Sequence, residues 1–326
     1  MDYKSTGVDI NEGDEFVKDI KKDVESTFNP HVLKSIGLFG SFFELPKGYK
    51  EPVIVSSVDG VGTKLKVAFM MNKHDSVGED IVNHCVNDIA TSGATPLFFL
   101  DYLATGKLDR SVHKEIIKGM AKACRENGVA LVGGETAEMP GFYKDKEYDI
   151  AGTIVGVVEK SKIIDGSKIR KGDVLIGLPS TGLHTNGFSL ARKILLEKFS
   201  LDTYIKELDS TIGEALLAVH RSYLKEINML KDKIELKGIS HITGGGIEGN
   251  TKRLLRQEIS LSIDWDSWER PFIFKLIQKE GKVEEEEMRR VFNLGIGIIF
   301  IVDRDDMNAT LNLLKSSSPK VIGEVV

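Results

Sequence analysis

Ser56-Ser57-Val58-Asp59-Gly60-Val61-Gly62-Thr63-Lys64-Leu65 is the stretch from which the interpretation of this chain starts. The apolar run that enters it, Pro52 to Val58, predicts a strand that ends in a carboxylate and a glycine turn. The glycines let main-chain N–H groups approach an anion, the aspartate can hold a divalent cation, and the lysine can neutralise phosphate. The stretch has neither the P-loop nor the dinucleotide spacing. Taken alone, such a stretch is more often a simple tight turn.

A second acid lies on a predicted helix. The segment EDIVNHCVNDIAT, Glu79 to Thr91, places its apolar residues on one stripe at the helical period, with Asp88 at the margin of that stripe. A carboxylate at the edge of a buried face needs a metal, an N–H group or a lysine as its partner. The sequence leaves these alternatives open.

Two further acids follow short apolar runs and complete a candidate metal site. Glu135 comes after Val129 to Val132 and a pair of glycines, and Asp101 comes after Leu97 to Leu100. Mg²⁺ in proteins usually takes one or two carboxylates together with substrate phosphates. We therefore expect acids at the strand ends to converge on one polyphosphate site.

Composition favours an enzyme of the cell interior. The chain has 326 residues, a net charge of −5 and two cysteines. There is no basic stripe for a nucleic acid, no apolar run of membrane-spanning length and no signal-peptide pattern at the N-terminus. We expect a cytoplasmic protein with no nucleic-acid or membrane partner.

The length predicts two domains. Lys160 to Gly172 is basic and rich in turn residues, and it is the best linker candidate. The predicted domains are residues 1–165 and 166–326. Strands and helices occur in both without strict alternation, including one helix predicted from Thr211 to Lys231, so we expect the α+β class, each domain a mixed sheet with helices.

The second domain contains a candidate anion site. His241 ends a predicted strand, and Gly244, Gly245 and Gly246 then lead into a helix predicted from Ile247 to Leu255. Backbone N–H groups and a helix N-terminus suit a phosphate monoester, although three glycines also make a flexible turn. His241 beside them can orient an amide or transfer a proton, or it can be structural.

A hydroxyl-rich loop, Ser180 to Gly187, is the other candidate in this domain. Thr185 or Asn186 can cap the helix that follows or can contact a substrate.

Several long segments resemble one enzyme family, the phosphoribosylformylglycinamidine cyclo-ligases, also called aminoimidazole ribonucleotide synthetases. They run in the family's order along essentially the whole chain: YKSTGVDI (Tyr3 to Ile10), SSVDGVGTKL, CVNDIATSGATPLFFLDYLATGKLD (Cys85 to Asp109), VGGETAEMPG (Val132 to Gly141), DVLIGLPSTGLHTNGFSLARKIL (Asp173 to Leu195), HITGGGIEGN (His241 to Asn250) and RRVFNLGIGI (Arg289 to Ile298). The sequence departs from the family pattern after the glycines, where Glu248 and Lys252-Arg253 stand in place of a Pro-Arg continuation.

The resemblance implies ATP-dependent ring closure of formylglycinamidine ribonucleotide to 5-aminoimidazole ribonucleotide through an iminophosphate. It also implies ATP and Mg²⁺ as cofactors, and a homodimer joined through the N-terminal domains, which carry the ATP site. The alternative is another ATP-dependent small-molecule kinase of the same superfamily.

The resemblance also assigns roles, with Asp101 supporting the metal ligands. The catalytic candidates are Lys21 and His241. The ATP candidates are Lys4, Asp59, Gly60, Gly62, Thr63, Lys64, Asp88, Gly134 and Glu135, of which Asp59, Asp88 and Glu135 are to hold the metal. The ribotide candidates are Thr185, Asn186, Gly244, Gly245 and Gly246. Lys64 is expected to face solvent, and Lys21, on an amphipathic helix, can also be simply solvated.

Overall fold

The computed structural model describes residues 7–326 and divides into two compact units. Unit 1 contains the described residues up to Ile89 together with Thr95–Lys160, and unit 2 contains Ala90–Ala94 and Ser161–Val326. The predicted boundary after residue 165 lies a few residues beyond this division.

Unit 1 is built on a mixed sheet. Within the described residues its strands are β1 (Pro52–Gly60), β2 (Thr95–Thr105), β3 (Ala130–Glu138) and β4 (Tyr148–Glu159), in the spatial order β1-β4-β2-β3. Only the β2–β3 pair among these is parallel. The accompanying helices are α1 (Ile10–Glu25), α2 (Leu65–Met71), α3 (Asp75–Ala90) and α4 (Arg110–Asn127).

Helix α3 packs closely on this sheet because β4 has glycine where the two meet. A Cβ at Gly152 would lie 2.0 Å from the Phe99 ring and 3.0 Å from Ile81, and one at Gly156 would lie 2.7 Å from Ile89. Ile81, Ile89 and Phe99 are buried in the resulting core. The close approach brings the polar side chains of α3 within reach of β1.

Unit 2 contains a second sheet, with strands β5 (Val174–Pro179), β8 (Gly238–His241), β9 (Leu261–Ile263), β10 (Ile296–Val302) and β11 (Lys320–Val325), and a separate short pair, β6 (Tyr204–Ile205) and β7 (Ser210–Thr211). The spatial order of the larger sheet is β8-β10-β5-β11-β9, and the pairings described are antiparallel. The helices are α5 (Phe188–Leu196), α6 (Ile212–Leu217), α7 (Leu224–Leu230), α8 (Gly246–Lys252), α9 (Phe272–Gly281), α10 (Glu285–Val291) and α11 (Met307–Leu313). Ile169, Leu175 and Ile299 are among its core residues.

The α+β prediction is confirmed, and two local predictions are wrong. The helix predicted from Thr211 to Lys231 is broken into α6 and α7, because the segment between them turns inward and buries Tyr223, whose hydroxyl donates to the Pro179 carbonyl at 2.9 Å. Asp101 and Glu135 lie inside β2 and β3, not at strand ends. Among residues 7–326, no helix has the length and apolar character needed to span a bilayer.

Candidate active site

Strand β1 and helix α3 present matched polar side chains to each other. The Ser57 hydroxyl donates to an Asp88 carboxylate oxygen at 3.3 Å, and His84 Nε2 lies 2.8 Å from Asp59 Oδ2. Two residues along a strand advance about 6.7 Å and four residues along a helix advance about 6 Å, so the pairs stay in step. One stripe of α3 therefore faces one side of β1.

Two carboxylates, of Asp59 and Asp88, lie close to the His84 ring. Its Nε2 is also 3.7 Å from Asp88 Oδ2. Burial lowers the pKa of His84, but the hydrogen bond to Asp59 and the surrounding carboxylates outweigh this, and the net shift is upward. Asp59 Oδ1 accepts the Gly60 N–H at 2.7 Å. The donor set of two carboxylates and a hydroxyl consists of hard oxygens, which fits Mg²⁺.

Lys64 continues the same stripe but is not solvent-facing, so that prediction is wrong. Its side chain is completely buried, and its Nζ lies 2.7 Å from Asp80, one helical turn before His84. Burial lowers the pKa of Lys64, and the Asp80 carboxylate only partly opposes this. Lys64 ties the turn after β1 to α3, and its predicted role in binding phosphate is not supported by this position.

Of the two glycines at the turn after β1, one has the left-handed backbone that the sequence suggested. Gly62 has a φ of +65°, in the left-handed region, whereas Gly60 is the last residue of β1. Thr63 is exposed at the start of the short 3₁₀ turn that ends at Lys64. Main-chain N–H groups near Gly62 and Thr63 thus lie at the surface of the turn.

Glu135 does not join Asp59 and Asp88, so the expected convergence of the three acids within one chain is wrong. Across the sheet, Asp59 pairs with Gly152, Gly152 with Asp101, and Asp101 with Gly134, while Glu135 pairs with Tyr102. Three strand spacings separate β1 from β3 by about 14 Å. One ion cannot bridge carboxylates that far apart.

Asp101 and Gly134 instead form a second polar position on the sheet. A Cβ at Gly134 would lie 2.1 Å from Asp101 Oδ1, so only glycine fits beside this carboxyl group. Burial, with a contribution from the charge of Glu135, raises the pKa of Asp101 to about 7.

A cavity of about 960 Å³ opens beside this position. Its lining is mostly apolar, from α1, residues 35–41, the middle of β2 and most of β3, and Asp101, Gly134 and Glu135 are among its polar positions. A mostly apolar cavity of this size with few polar groups is typical of small-molecule sites.

The two predicted lysines of the N-terminal region have different outcomes. Lys21 lies on the exposed side of α1, with Nζ 3.9 Å from Glu25, and it does not line the cavity. Its catalytic role stays a prediction. Lys4 lies outside the described residues.

In unit 2, the two predicted ribotide loops lie side by side. A Cβ at Gly244 would be 3.1 Å from Asn186 Oδ1. Gly245 and Gly246 have φ values of +104° and +66°. The Asn250 amide holds this turn by donating to the carbonyls of Thr243, Gly244 and Gly246, the last at 2.8 Å. The predicted helix is the seven-residue α8.

His241, at the end of β8, belongs to a buried group of three imidazoles. Its Nε2 is 2.9 Å from His220 Nε2, and the His220 ring stacks on His184 with centroids 4.0 Å apart. One nitrogen of each ring lies within 4.8 Å of the others, a donor set that resembles a zinc site. The rings of His184 and His220 are only 20° from parallel, however, so their in-plane lone pairs do not converge on one ion.

Sequence reasoning missed His84 and His220. His84 is four residues before Asp88, so the shared helix face was visible, but its strand partner was not. His220 had no motif at all, because its neighbours come from separate segments of unit 2.

Family models match both halves of the chain. The AIR synthase related protein N-terminal domain matches residues 48–158, and the corresponding C-terminal domain matches residues 170–326. The phosphoribosylformylglycinamidine cyclo-ligase of Thermoanaerobacter sp. is 52% identical over 330 residues, covering 100% of this chain and 98% of the relative. That of Thermodesulfovibrio yellowstonii is 53% identical over 321 residues, covering 98% and 94%.

Solved structures share the fold at low identity. Thiamine-monophosphate kinase from Stenotrophomonas maltophilia matches with a TM-score of 0.69 and 16% identity, covering 94% of this chain and 93% of that one. Hydrogenase maturation protein HypE in complex with ATP also gives 0.69 and 16%, covering 96% and 86%. These matches establish the fold, and the full-length identity above establishes that the chain belongs to the phosphoribosylformylglycinamidine cyclo-ligase family.

Proposed function

We propose that this chain catalyses the ATP-dependent closure of formylglycinamidine ribonucleotide to 5-aminoimidazole ribonucleotide, as a cytoplasmic enzyme of purine biosynthesis. The observation that carries the proposal is the 52% identity to a named cyclo-ligase along the full length of both chains. The match covers both units, so it includes the candidate nucleotide-binding residues of unit 1 and the candidate ribotide-binding residues of unit 2.

The chemistry balances without a further reactant. The γ-phosphoryl group of ATP moves to the formyl oxygen, and ADP leaves with the electron pair of the broken P–O bond. The resulting iminophosphate carbon is attacked by the amidine nitrogen, a C–N bond forms, and the C–O bond breaks as inorganic phosphate leaves. The enzyme must position both reactants and stabilise charge on the transferred phosphoryl group.

Unit 1 supplies the residues for the nucleotide. Asp59 and Asp88 would hold Mg²⁺, which neutralises phosphate charge when bound, and the N–H groups of the turn at Gly62 and Thr63 would contact phosphate oxygens. The 2.8 Å contact between His84 and Asp59 fixes the orientation of that carboxylate. Gly134 and Glu135 border the cavity of about 960 Å³, whose apolar lining suits the adenosine portion.

Unit 2 supplies the residues for the ribotide. Thr185 and Asn186 lie beside the Gly244 to Gly246 turn, so hydroxyl, amide and main-chain donors occur together. These are groups that bind a sugar or a phosphate monoester. His241, next to them in the chain, would contact the reacting amide or amidine.

A homodimer joined through unit 1 fits the exposure of β1. Ile54 and Val58 are 58% and 66% exposed, whereas the alternate residues Ser57 and Asp59 face α3. Tyr102 on β2 is also 42% exposed. A sheet with apolar residues on its open face needs a second surface to cover it.

The second candidate function is phosphorylation of another small molecule, favoured by the shared fold of thiamine-monophosphate kinase. One assay separates the two. The purified chain with formylglycinamidine ribonucleotide, ATP and Mg²⁺ should give ADP, phosphate and aminoimidazole ribonucleotide in equal amounts. Stable transfer of phosphate to an acceptor, with no imidazole product, would reject the cyclo-ligase proposal.

The site is tested by one matched pair of acid-to-amide changes. Asp59→Asn should lower kcat by about 10²-fold or more, because a metal ligand and the His84 partner are lost together. Asp232→Asn removes an exposed carboxylate that pairs with Lys162 on the surface of unit 2, and should leave kcat unchanged. Equal rates for the two variants would remove Asp59 from the site.

A further inference from the structure

Glu138, the last residue of β3, accepts hydrogen bonds from two main-chain N–H groups that come from different segments. Its Oε2 accepts the Asp9 N–H at 3.0 Å, and its Oε1 accepts the Leu108 N–H at 2.8 Å. Asp9 directly precedes α1, and Leu108 lies in the connection between β2 and α4. One half-buried side chain therefore joins three parts of unit 1 that are far apart in the sequence.

The bond to Asp9 completes the N-terminal cap of α1 from outside the helix. Asp9 is the N-cap residue, and its carboxylate accepts the Asn11 N–H at 3.1 Å. In a capping box the third residue of the helix would accept the N-cap N–H in return. That residue is Glu12, whose carboxylate lies 3.8 Å from Arg110. Glu138 takes the acceptor role instead, and an ionised acceptor makes such a bond stronger than a neutral one.

These contacts lie at the wall of the cavity in unit 1. Asp9, Leu108 and Glu138 all border the cavity of about 960 Å³. A Cβ at Gly7 would lie 3.0 Å from the Pro140 Cβ atom, so the chain that enters α1 runs directly over the residues that follow β3. The start of α1 and the end of β3 thus form one edge of the cavity.

The rest of α1 is held by other contacts. Asp19 Oδ2 accepts the Arg110 guanidinium at 2.6 and 3.0 Å. The Phe16 ring packs edge-on against His113 of α4, with centroids 6.1 Å apart. Loss of the Glu138 contacts would therefore release the start of α1 and leave the middle of the helix in place.

We propose that Glu138 is a positioning residue that holds the start of α1 against the β2–α4 connection and so fixes one wall of the nucleotide cavity. A wall that is already ordered loses less conformational freedom when a ligand binds, which favours binding. The consequence for the nucleotide rests on the proposed function, and the role of Glu138 in ordering the wall does not.

The ordering role is tested by hydrogen exchange in the full chain without nucleotide. Glu138→Gln keeps the size of the side chain but has one acceptor oxygen, and its N–H₂ group would face the second N–H. Mass spectrometry with fragmentation that resolves single amides should show exchange about tenfold faster or more at Asp9 and Leu108, with the last turn of α1 unchanged. Unchanged exchange at both amides would overturn the proposal, whatever reaction the enzyme catalyses.

The consequence for the nucleotide is tested by calorimetric titration with ATP and Mg²⁺ and by steady-state kinetics. Glu138→Gln should raise the Kd of ATP about 5- to 20-fold and the KM for ATP by a similar factor, with kcat and the ribotide KM within about threefold. A loss confined to kcat would make Glu138 a catalytic group and overturn the proposal. If no variant and no unmodified chain forms the imidazole product, the proposed function fails, but the ATP titration still decides the role of Glu138.

Two further variants separate position from charge. Asp19→Asn breaks the other anchor of α1 and does not border the cavity, so exchange at Asp9 and Leu108 and the Kd of ATP should stay unchanged. Glu138→Asp keeps the negative charge on a side chain one methylene shorter, which cannot reach both N–H groups, and it should also weaken ATP binding. An aspartate variant that binds ATP like the unmodified chain would show that charge at the cavity matters and the position of the wall does not.

Discussion

The polar side chains between β1 and α3 in unit 1 and those around the glycine turn and the three imidazoles in unit 2 are both held in place by buried contacts. The contacts in the two regions differ in charge. In unit 1, formal charges meet across a strand and a helix, as in the pairs of Asp59 with His84 and of Lys64 with Asp80. In the loops of unit 2 that form the candidate site, neutral amides, hydroxyls and imidazoles make the contacts, as in the hydrogen bonds of Asn250 to three carbonyls. Buried charge needs a partner at fixed distance, which regular elements supply, whereas loops can be held by directional neutral bonds.

The largest test of this comparison is removal of one charge from unit 1. Lys64→Met leaves the Asp80 carboxylate buried without its cation, and should lower the free energy of unfolding by about 3–5 kcal/mol. Urea unfolding followed by circular dichroism measures this.

The double variant Lys64→Met with Asp80→Leu is the matched control. It removes both charges, so most of the lost stability should return. If Lys64→Met alone is as stable as the unmodified chain and only nucleotide affinity falls, the lysine is a ligand group and its pairing with Asp80 is incidental.

The second test introduces a charge into unit 2. Asn250→Asp replaces the amide donor with a carboxylate that faces three carbonyl oxygens, and should cost about 2–3 kcal/mol at neutral pH. The loss should shrink at low pH, where a protonated acid can donate again. Thermal unfolding at several pH values checks both effects.

Glu248→Gln provides the comparison on the same helix, because Glu248 pairs with Lys252 at the surface. Its effect should be within about 0.5 kcal/mol. An Asn250→Asp variant as mild as this one would mean that the glycine turn does not depend on neutral donors.

The fold class could be predicted from the sequence, but the positions at which β2 and β3 end could not. Apolar runs and helical periods located most elements, since core burial imposes those periods. A charged residue normally marks the end of a strand, which is why β2 and β3 were expected to stop before Asp101 and Glu135. Both strands continue past these acids, which border a cavity and do not enter the apolar core.

The site was predictable where one residue type limits the backbone, and unpredictable where partners come from distant segments. Gly62 and Gly246 need left-handed backbone, which local sequence suggests. The burial of Lys64 depends on Asp80, and the place of His220 depends on β8. No local pattern encodes either pairing.

The test with the smallest expected effect concerns Asp101 of unit 1. Burial raises the pKa of this acid, and among the described residues no cation lies beside it. The pKa of Asp101 is about 7 in the folded chain, against an ordinary value of 3.8. Between these two pH values the folded state binds one proton more than the unfolded state. The contribution of Asp101 to stability therefore falls as pH rises and levels off above about pH 7.

Asp101→Asn removes this dependence of stability on pH. We expect it to match the unmodified chain near pH 4 and to be more stable by about 1 kcal/mol, or roughly 2–4 °C in melting temperature, at pH 8 in EDTA. Asp101 keeps some solvent contact where it borders the cavity, and screening by solvent reduces the effect well below the full pKa difference. Asp232→Asn, on the surface of unit 2, should give the same stability difference from the unmodified chain at both pH values.

The contrary outcome for Asp101→Asn is a stability difference that stays constant with pH or decreases from pH 4 to pH 8. It would mean that Asp101 is ionised throughout this range and is stabilised as a charge, like Asp59. Unit 1 would then contain a second charged position beside its cavity.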